Sequence, residues 1–477
     1  MSDLLAARSQ MAMSLAFHII FAVVGIGMPA LMVIAERRWL RTGDHHYLEL
    51  AKRWARGTAI LFAVGAVSGT VLSFELGLLW PRFMEFAGPI IGMPFSLEGF
   101  AFFTEAIFLG VYLYGWERVR PRAHLAAGVI VAVSGAVSGV FVVIANAWMN
   151  TPAGFRMVDG QPMDVHPLRA MMTTATFPET LHMTIAAYAA TGLVVAGIHA
   201  ALLLREPRNA FHRRALLVGL LVGAPAALVQ PLSGDISARY VARWQPIKLA
   251  AMEADFTTQR GAPLHVGGLP DETRGVTRGA IEIPYGLSLL AFHDPRAVVQ
   301  GLGDFPRDLW PPVAITHFAF DVMVGLGSLM AIIAAWALVV LARKREPADS
   351  RRLLWALTAI APAGFIAIEA GWTVTEVGRQ PWVVYGVMRT ADAVTPMPGL
   401  IVPFTTFTLL YCFLGATVAW LLYQQVLKSP TAGEDELDPA TASQTRSHHA
   451  PHNAAHGTSH GTSHNASHGA RRSAGDA

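Results

Sequence analysis

Residues 11–35 read MAMSLAFHIIFAVVGIGMPALMVIA and are followed at once by Glu36, Arg37 and Arg38. At the helical rise of about 1.5 Å per residue, this run covers the roughly 30 Å hydrocarbon core of a bilayer. Arg8 ahead of it would suit a signal peptide, but the run has full spanning length and no small-residue cleavage pattern follows, so it reads as a retained first span. Comparable runs lie near 57–80, 95–116, 124–147, 180–204, 214–233, 311–342, 352–374 and 398–424. The expectation is an all-α polytopic membrane protein of about nine spans. Composition agrees: of 477 residues 53% are hydrophobic and 14% charged, too apolar for a water-soluble chain of this size.

The net charge of +3 does not point to nucleic acid, because the basic residues sit in short loops rather than on one face. They report topology. The loops after the first, third, fifth and seventh spans hold Arg37, Arg38, Lys52 and Arg53; Arg118, Arg120 and Arg122; Arg205, Arg208, Arg213 and Arg214; and Arg343, Lys344, Arg345, Arg351 and Arg352. The other short loops are poorer in positive charge, which places the N-terminus outside and the C-terminus in the cytoplasm. The long connection at about 234–310 is then external, where an extracytoplasmic function would reside. Two regions follow: a membrane domain over 1–427 and a polar tail over 428–477. The tail carries His448, His449, His452, His456, His460, His464 and His468 among small residues and is expected to be disordered and cytoplasmic. Cys412 lies alone in an apolar run and is expected as a small core residue.

An ionisable side chain at bilayer depth costs a few kcal/mol, so each needs a partner or marks a pathway. His18 lies in span one, Glu98 and Glu105 in span three, and His182 opens span five; His317 and Met323 lie in span seven, Glu369 and Glu376 at the end of span eight. Most fall in the outer half of the expected topology. Haem iron takes His and Met axially when it moves electrons without binding gas, so His182 and Met323 on separate helices can clamp one low-spin haem. A core histidine and a packing methionine are the alternative. Glu98 and Glu105, seven residues apart, share a helix face about 10 Å apart, which suits proton transfer or structural hydrogen bonding. Glu376 can pair with Arg379, three residues on.

The chain resembles subunit I of the cytochrome bd-type quinol:oxygen oxidases over Leu4 to about Leu427. The most specific signature is Glu369-Ala370-Gly371-Trp372 followed by Glu376-Val377-Gly378-Arg379-Gln380-Pro381-Trp382. Arg8-Ser9-Gln10 ahead of His18, Glu98-Gly99 with Glu105, Trp148-Met149-Asn150-Thr151-Pro152, and Gln245-Pro246 through Lys248 to Glu253 support it. The resemblance implies a terminal oxidase of the bacterial cytoplasmic (inner) membrane that oxidises ubiquinol or menaquinol and reduces O2 to water with charge separation. It implies three haems: a low-spin haem b on His182 and Met323, with a high-spin haem b and a haem d (or a further haem b) on His18 and Glu376. Trp372 and Arg379 would support the di-haem region, Lys248 and Glu253 belong to the quinol-oxidising segment, and Glu98 and Glu105, helped by Ser134 and Ser138, would bring protons from the cytoplasm. Subunit II is the implied partner, with a small single-span subunit also possible in the family. One departure stands out: Asp321 occupies a position where many members carry arginine.

Two other classes compete. A secondary transporter coupling through Glu98, Glu105 and Glu376 would show inverted repeats, and no clear repeat is visible. A haem b membrane anchor without an oxygen site needs bis-histidine pairs and gives Glu376 no role.

Overall fold

The computed structural model describes residues 2–424; the His-rich tail, and the disorder expected of it, lie outside them. Among the described residues nine helices are long and apolar enough to cross a bilayer. Helix α1 (Asp3–Thr42) starts where Ser2 Oγ accepts the Leu5 amide and stops at Gly43, whose φ of 71° places it in the left-handed region a glycine enters freely. Asp44 then caps α2 (His45–Leu79). α3 (Pro81–Tyr114) and α4 (Pro121–Asn150) each open on a proline, tolerated there because the first-turn amides lack helical partners. Short α5 (Pro167–Met171) precedes α6 (Thr176–Arg205), and Asn209 caps α7 (Ala210–Trp244).

The long connection contains α8 (Pro246–Met252) and α9 (Gly286–Phe292). The bundle resumes with α10 (Val313–Ala342), then α11 (Arg351–Ala359), α12 (Ala363–Val377), short α13 (Thr390–Ala393) and α14 (Ile401–Leu422). Strands among the described residues are pairs of two or three residues in the connections, such as Leu264–Val266 with Ile281–Ile283. The fold is all-α in its architecture.

Three expectations change in detail. The eighth span is broken between Ala359 and Ala363, where Pro362 removes a backbone donor, so α11 and α12 are separate helices. α7 runs on to Trp244, so the external connection begins about ten residues later than the end of its apolar run. Cys412 is exposed rather than part of the core: α14 packs on α1 and α2 and offers the bundle one face only, which Tyr411 and Val418 occupy.

α6 is the hub, packing on α1, α4, α7, α11 and α12. Its approach to α7 is backbone to backbone: a Cβ on Gly192 would lie 2.3 Å from the Gly223 nitrogen, and one on Gly223 would lie 2.6 Å from the Leu193 nitrogen. Close approach through small residues is how helices gain contact where lipid removes the hydrophobic drive. The seam places His182 on α6 against α7, beside the helix carrying His18 and the one carrying Glu376. Large apolar side chains such as Phe100, Phe103, Leu409 and Phe413 remain exposed on α3 and α14, as expected of a multi-pass membrane protein.

A candidate haem-ligand and proton-transfer site

His18 and His182 are held in the same way on different helices. His18 Nδ1 lies 2.9 Å from Ser68 Oγ on α2, and that hydroxyl donates to the Gly65 carbonyl. His182 Nδ1 lies 3.0 Å from Ser233 Oγ on α7, which donates to the Gln230 carbonyl. Each hydroxyl hydrogen goes to a carbonyl, which favours an imidazole that donates from Nδ1 and keeps its lone pair on Nε2, although Gln230 Nε2 also lies 3.2 Å from His182 Nδ1. That is how a metal-binding histidine is oriented from behind. Gly69 and Gly234 make room for the rings: a Cβ there would stand 3.0 Å from His18 Cε1 and 3.6 Å from His182 Cε1. Gln230 Nε2 sits 3.1 Å from His182 Nε2 and would turn aside for a metal.

Met323 of α10 lies against α12, where a Cβ on Gly371 would come within 3.0 Å of its Sδ. The glycine inside the Glu369–Trp372 signature is therefore the space Met323 uses. Trp372 packs with Phe365, Met183 and Leu15 around Ile19, Val23 and Ile368, in the seam that joins the helices of His18, His182 and Glu376. Glu369 Oε1 is buried without a partner.

Glu376 sits in a dense polar network. Its carboxylate accepts from Asn146 Nδ2 and, on the other oxygen, from Arg379. Arg379, 1% exposed, also reaches Asn150 Oδ1 at 3.4 Å. Asn150 donates to Glu179 Oε1 at 2.9 Å and accepts at Oδ1 from Lys248 Nζ at 3.2 Å, while Gln245 Nε2 donates to its carbonyl. Lys248 is fully enclosed in this network: burial and then Arg379 pull its ammonium down to about 7, against the pull of Glu179 and Glu376. Thus the structure ties Lys248 to the Glu376 region, through α4 and α12.

Glu253 is buried elsewhere, with Oε2 unpartnered, so it and Lys248 do not meet. Burial, then Asp321 and Asp255, push its carboxyl up to about 8. His317 and Asp321 lie beside it on α10, with His317 Nδ1 on the Met252 carbonyl at 2.8 Å. Asp321 is thus near a carboxyl and an imidazole rather than in the Glu376 network.

Glu105 is buried between α1 and α4. A Cβ on Gly135 would lie 3.1 Å from its Oε2, and one on Gly25 would lie 4.0 Å from Oε1, which has no partner. Glu98, half-buried a heptad away, accepts from Ser138 Oγ at 3.0 Å. Ser134 instead donates to its own helix, to the carbonyl of Ile130. Two glycines and a serine thus shape a carboxylate pair on the α1–α3–α4 face.

The donors suit haem. Among the described residues no three His, Cys, Asp or Glu side chains are placed so that they could hold a bare metal ion. A macrocycle brings four nitrogens and asks only one or two axial ligands, which single residues on separate helices provide. Sequence reading missed Ser68, Ser233, Gln230, Asn146 and Glu179, because hydroxyls and amides are unremarkable in a helix and Glu179 precedes the apolar run; Asn150 and Gln245 stood only as parts of motifs. Nor are buried histidines confined to this region, since His124, His199 and His212 lie at the end of the bundle that carries the α1–α2 turn.

Comparison with known proteins gives the family. The family model for cytochrome bd terminal oxidase subunit I matches residues 6–430. A Bacillus subtilis chain that carries the name of a cytochrome bd menaquinol oxidase subunit I is 38% identical over 92% of this chain and all of its own length. A second from that organism, a cytochrome bd ubiquinol oxidase subunit 1, is 31% identical over 90% of this chain and 94% of its own. Among solved structures, the bd oxidase of Geobacillus thermodenitrificans superposes with a TM-score of 0.84 at 39% identity, covering 90% of this chain and 99% of that one. The nine-span bundle and the two serine-backed histidines therefore stand in a chain that belongs to the cytochrome bd oxidase subunit I family, the haem-binding family of terminal quinol oxidases.

Proposed function

We propose that this chain is the catalytic subunit in which His182 and Met323 hold a low-spin haem b, and His18 and Glu376 hold a high-spin haem b and a haem d or a further haem b. The observation that carries the reading is the shared backing of His18 and His182 by a serine, which favours in both imidazoles the tautomer that keeps a lone pair on Nε2. Bound haem supplies the transfer of electrons from quinol to oxygen. The protein's own groups supply protons and geometry.

Glu253 accepts a proton from ubiquinol or menaquinol at the external connection, and Lys248 fixes α8 to the Glu376 network through Asn150. Both quinols appear in the names of relatives. Arg379 holds Glu376 in place, and Trp372 packs between the ligand-bearing helices. Glu105, passing to Glu98 and Ser138, delivers protons from the cytoplasmic side; drawing protons from one side and releasing quinol protons on the other separates charge. In this reading the N-terminus is outside, the C-terminus cytoplasmic, the membrane the bacterial cytoplasmic one, and subunit II the partner, with a small single-span subunit as an optional addition.

A reduced-minus-oxidised spectrum of the detergent-purified complex tests it. His182→Ala is expected to lose the low-spin band and keep the high-spin ones; a spectrum identical to the parent's would reject the pairing.

A further inference from the structure

The end of the bundle that carries the α1–α2 turn holds a cleft of about 580 Å³, formed where α2, the end of α3 and the last turn of α14 meet. None of the proposed haem ligands or proton-transfer carboxylates lines it. Two cations of α2 do, Lys52 and Arg56. Four residues apart on a helix, they share a face with their Cβ atoms about 6 Å apart. Among the described residues neither forms an ion pair. Arg53, between them in sequence, is turned to Glu49 at 2.8 Å, and Glu117 is exposed and outside the lining.

The wall beside the cations is firm. Lys52 Nζ lies 5.4 Å from the centre of the Trp116 ring, a cation–π contact that keeps the ammonium at the edge of the cleft. Trp116 is wedged in turn by Tyr112, at 5.4 Å between ring centres, and by His124, at 4.0 Å. His124 is fixed by Glu36 Oε1 at 2.8 Å and by the Tyr112 carbonyl at 2.9 Å. Towards the middle of the bundle the lining turns apolar: Ile60 follows Lys52 by eight residues, or about 12 Å along α2, and Leu113 and Leu421 face the cleft from α3 and α14. Tryptophan between charge and hydrocarbon marks the depth of lipid headgroups.

This order of surfaces selects one kind of occupant. A soluble anion would satisfy the cations and leave the apolar part empty, and a zwitterionic lipid would bring its own cation against Lys52 and Arg56. We propose that the cleft binds an anionic phospholipid, with its phosphate on Lys52 and Arg56 and an acyl chain along Ile60, Leu113 and Leu421. In the proposed topology the lipid belongs to the cytoplasmic leaflet, whose anionic lipids are drawn to Lys and Arg at the membrane surface. It links the end of α3 to α14, a helix that packs on α1 and α2.

The test uses the intact, delipidated complex in detergent, with phosphatidylglycerol, phosphatidylcholine and inorganic phosphate as probes. Binding is read by native mass spectrometry, and haem spectra check assembly. Phosphatidylglycerol is expected to bind about 25-fold more tightly than phosphatidylcholine, since each Lys or Arg near an anionic lipid contributes a factor of about five. Lys52→Gln combined with Arg56→Gln should bring the two lipids level and leave phosphatidylcholine where it was. Arg118→Gln combined with Arg120→Gln, outside the cleft, should keep the parent's preference. Ile60→Trp, which fills the apolar part, should weaken phosphatidylglycerol with both cations in place. No preference in the parent complex overturns the proposal, because the cleft is then filled by subunit II or by the chain beyond residue 424. A preference lost equally in the Arg118 and Arg120 variant also overturns it, as diffuse attraction to a basic surface. Displacement of the lipid by an equal concentration of inorganic phosphate, or parent-like binding in Ile60→Trp, reveals an anion site without a lipid and overturns it too. Should the double glutamine variant fail to assemble, Arg56→Gln alone takes its place: a loss of about fivefold is expected, and the parent's preference overturns the proposal.

Discussion

Glu253 shows how a single residue's surroundings set its chemistry. Only the ionised carboxylate can accept a quinol proton, and burial followed by Asp321 and Asp255 pushes its ionisation up to about 8. Below that pH the group is already protonated, and above it the acceptor is present. Quinol-driven turnover should therefore rise as pH is raised through about 8. In Glu253→Gln that rise should vanish, which a pH series on the complex with saturating quinol would read. The residues legible in sequence were those whose mere presence is anomalous: His18, His182, Glu98, Glu105 and Glu376 are ionisable groups in apolar runs. Ser68 and Ser233, which stand behind the imidazoles, were not legible, since a serine in a membrane helix ordinarily bonds its own backbone, as these two and Ser134 all do, and nothing in the sequence tells which of them also meets a histidine.

Among elements, the α1–α3–α4 face shows glycine serving a carboxylate. The Gly135 Cα lies where an added methyl would meet both Glu105 Oε2 and the Gly25 carbonyl at 3.1 Å. A flexible side chain can yield but a helix backbone yields little, so Gly135→Ala should cost about 1–3 kcal/mol of stability and displace Glu105. The check is a lowered thermal midpoint together with slower oxygen reduction at an unchanged low-spin haem band; a variant as stable and as fast as the parent would show that the carboxylate does not depend on this cradle. The heptad spacing of Glu98 and Glu105 was readable, because helical period fixes a shared face. That the face meets glycines of two other helices was not. The break between α11 and α12 was likewise hidden, as apolar residues run straight through Pro362.

At the scale of the whole molecule, Arg379 ties the parts together. With Asn150 it connects Glu376, Glu179 on α6, Lys248 on α8 and the end of α4, in a region where both Arg379 and Lys248 are almost wholly enclosed. Removing the guanidinium takes from Glu376 its paired cation and leaves Lys248 as the network's other one, and breaking a buried pair from one side costs about 3–5 kcal/mol. Arg379→Ala is expected at the low end of that range, because the Glu376 side chain keeps 29% exposure. Chemical or thermal denaturation of the complex checks it, with Arg379→Lys falling between the two. An alanine variant as stable as the parent would mean that the network contributes no net stability.

The sequence by itself determined the number of spans, the all-α architecture and the residue types able to ligate haem, because spanning length, hydropathy and the cost of a buried charge are local properties of the chain. Tertiary structure alone decided which of these groups meet. Lys248 and Glu253 are five residues apart, yet one joins the Glu376 network and the other faces His317 and Asp321. Partnership depends on the seams between helices, which small residues such as Gly192 and Gly223 set by backbone contact, and no periodicity along a single strand of sequence encodes which helix lies across the seam.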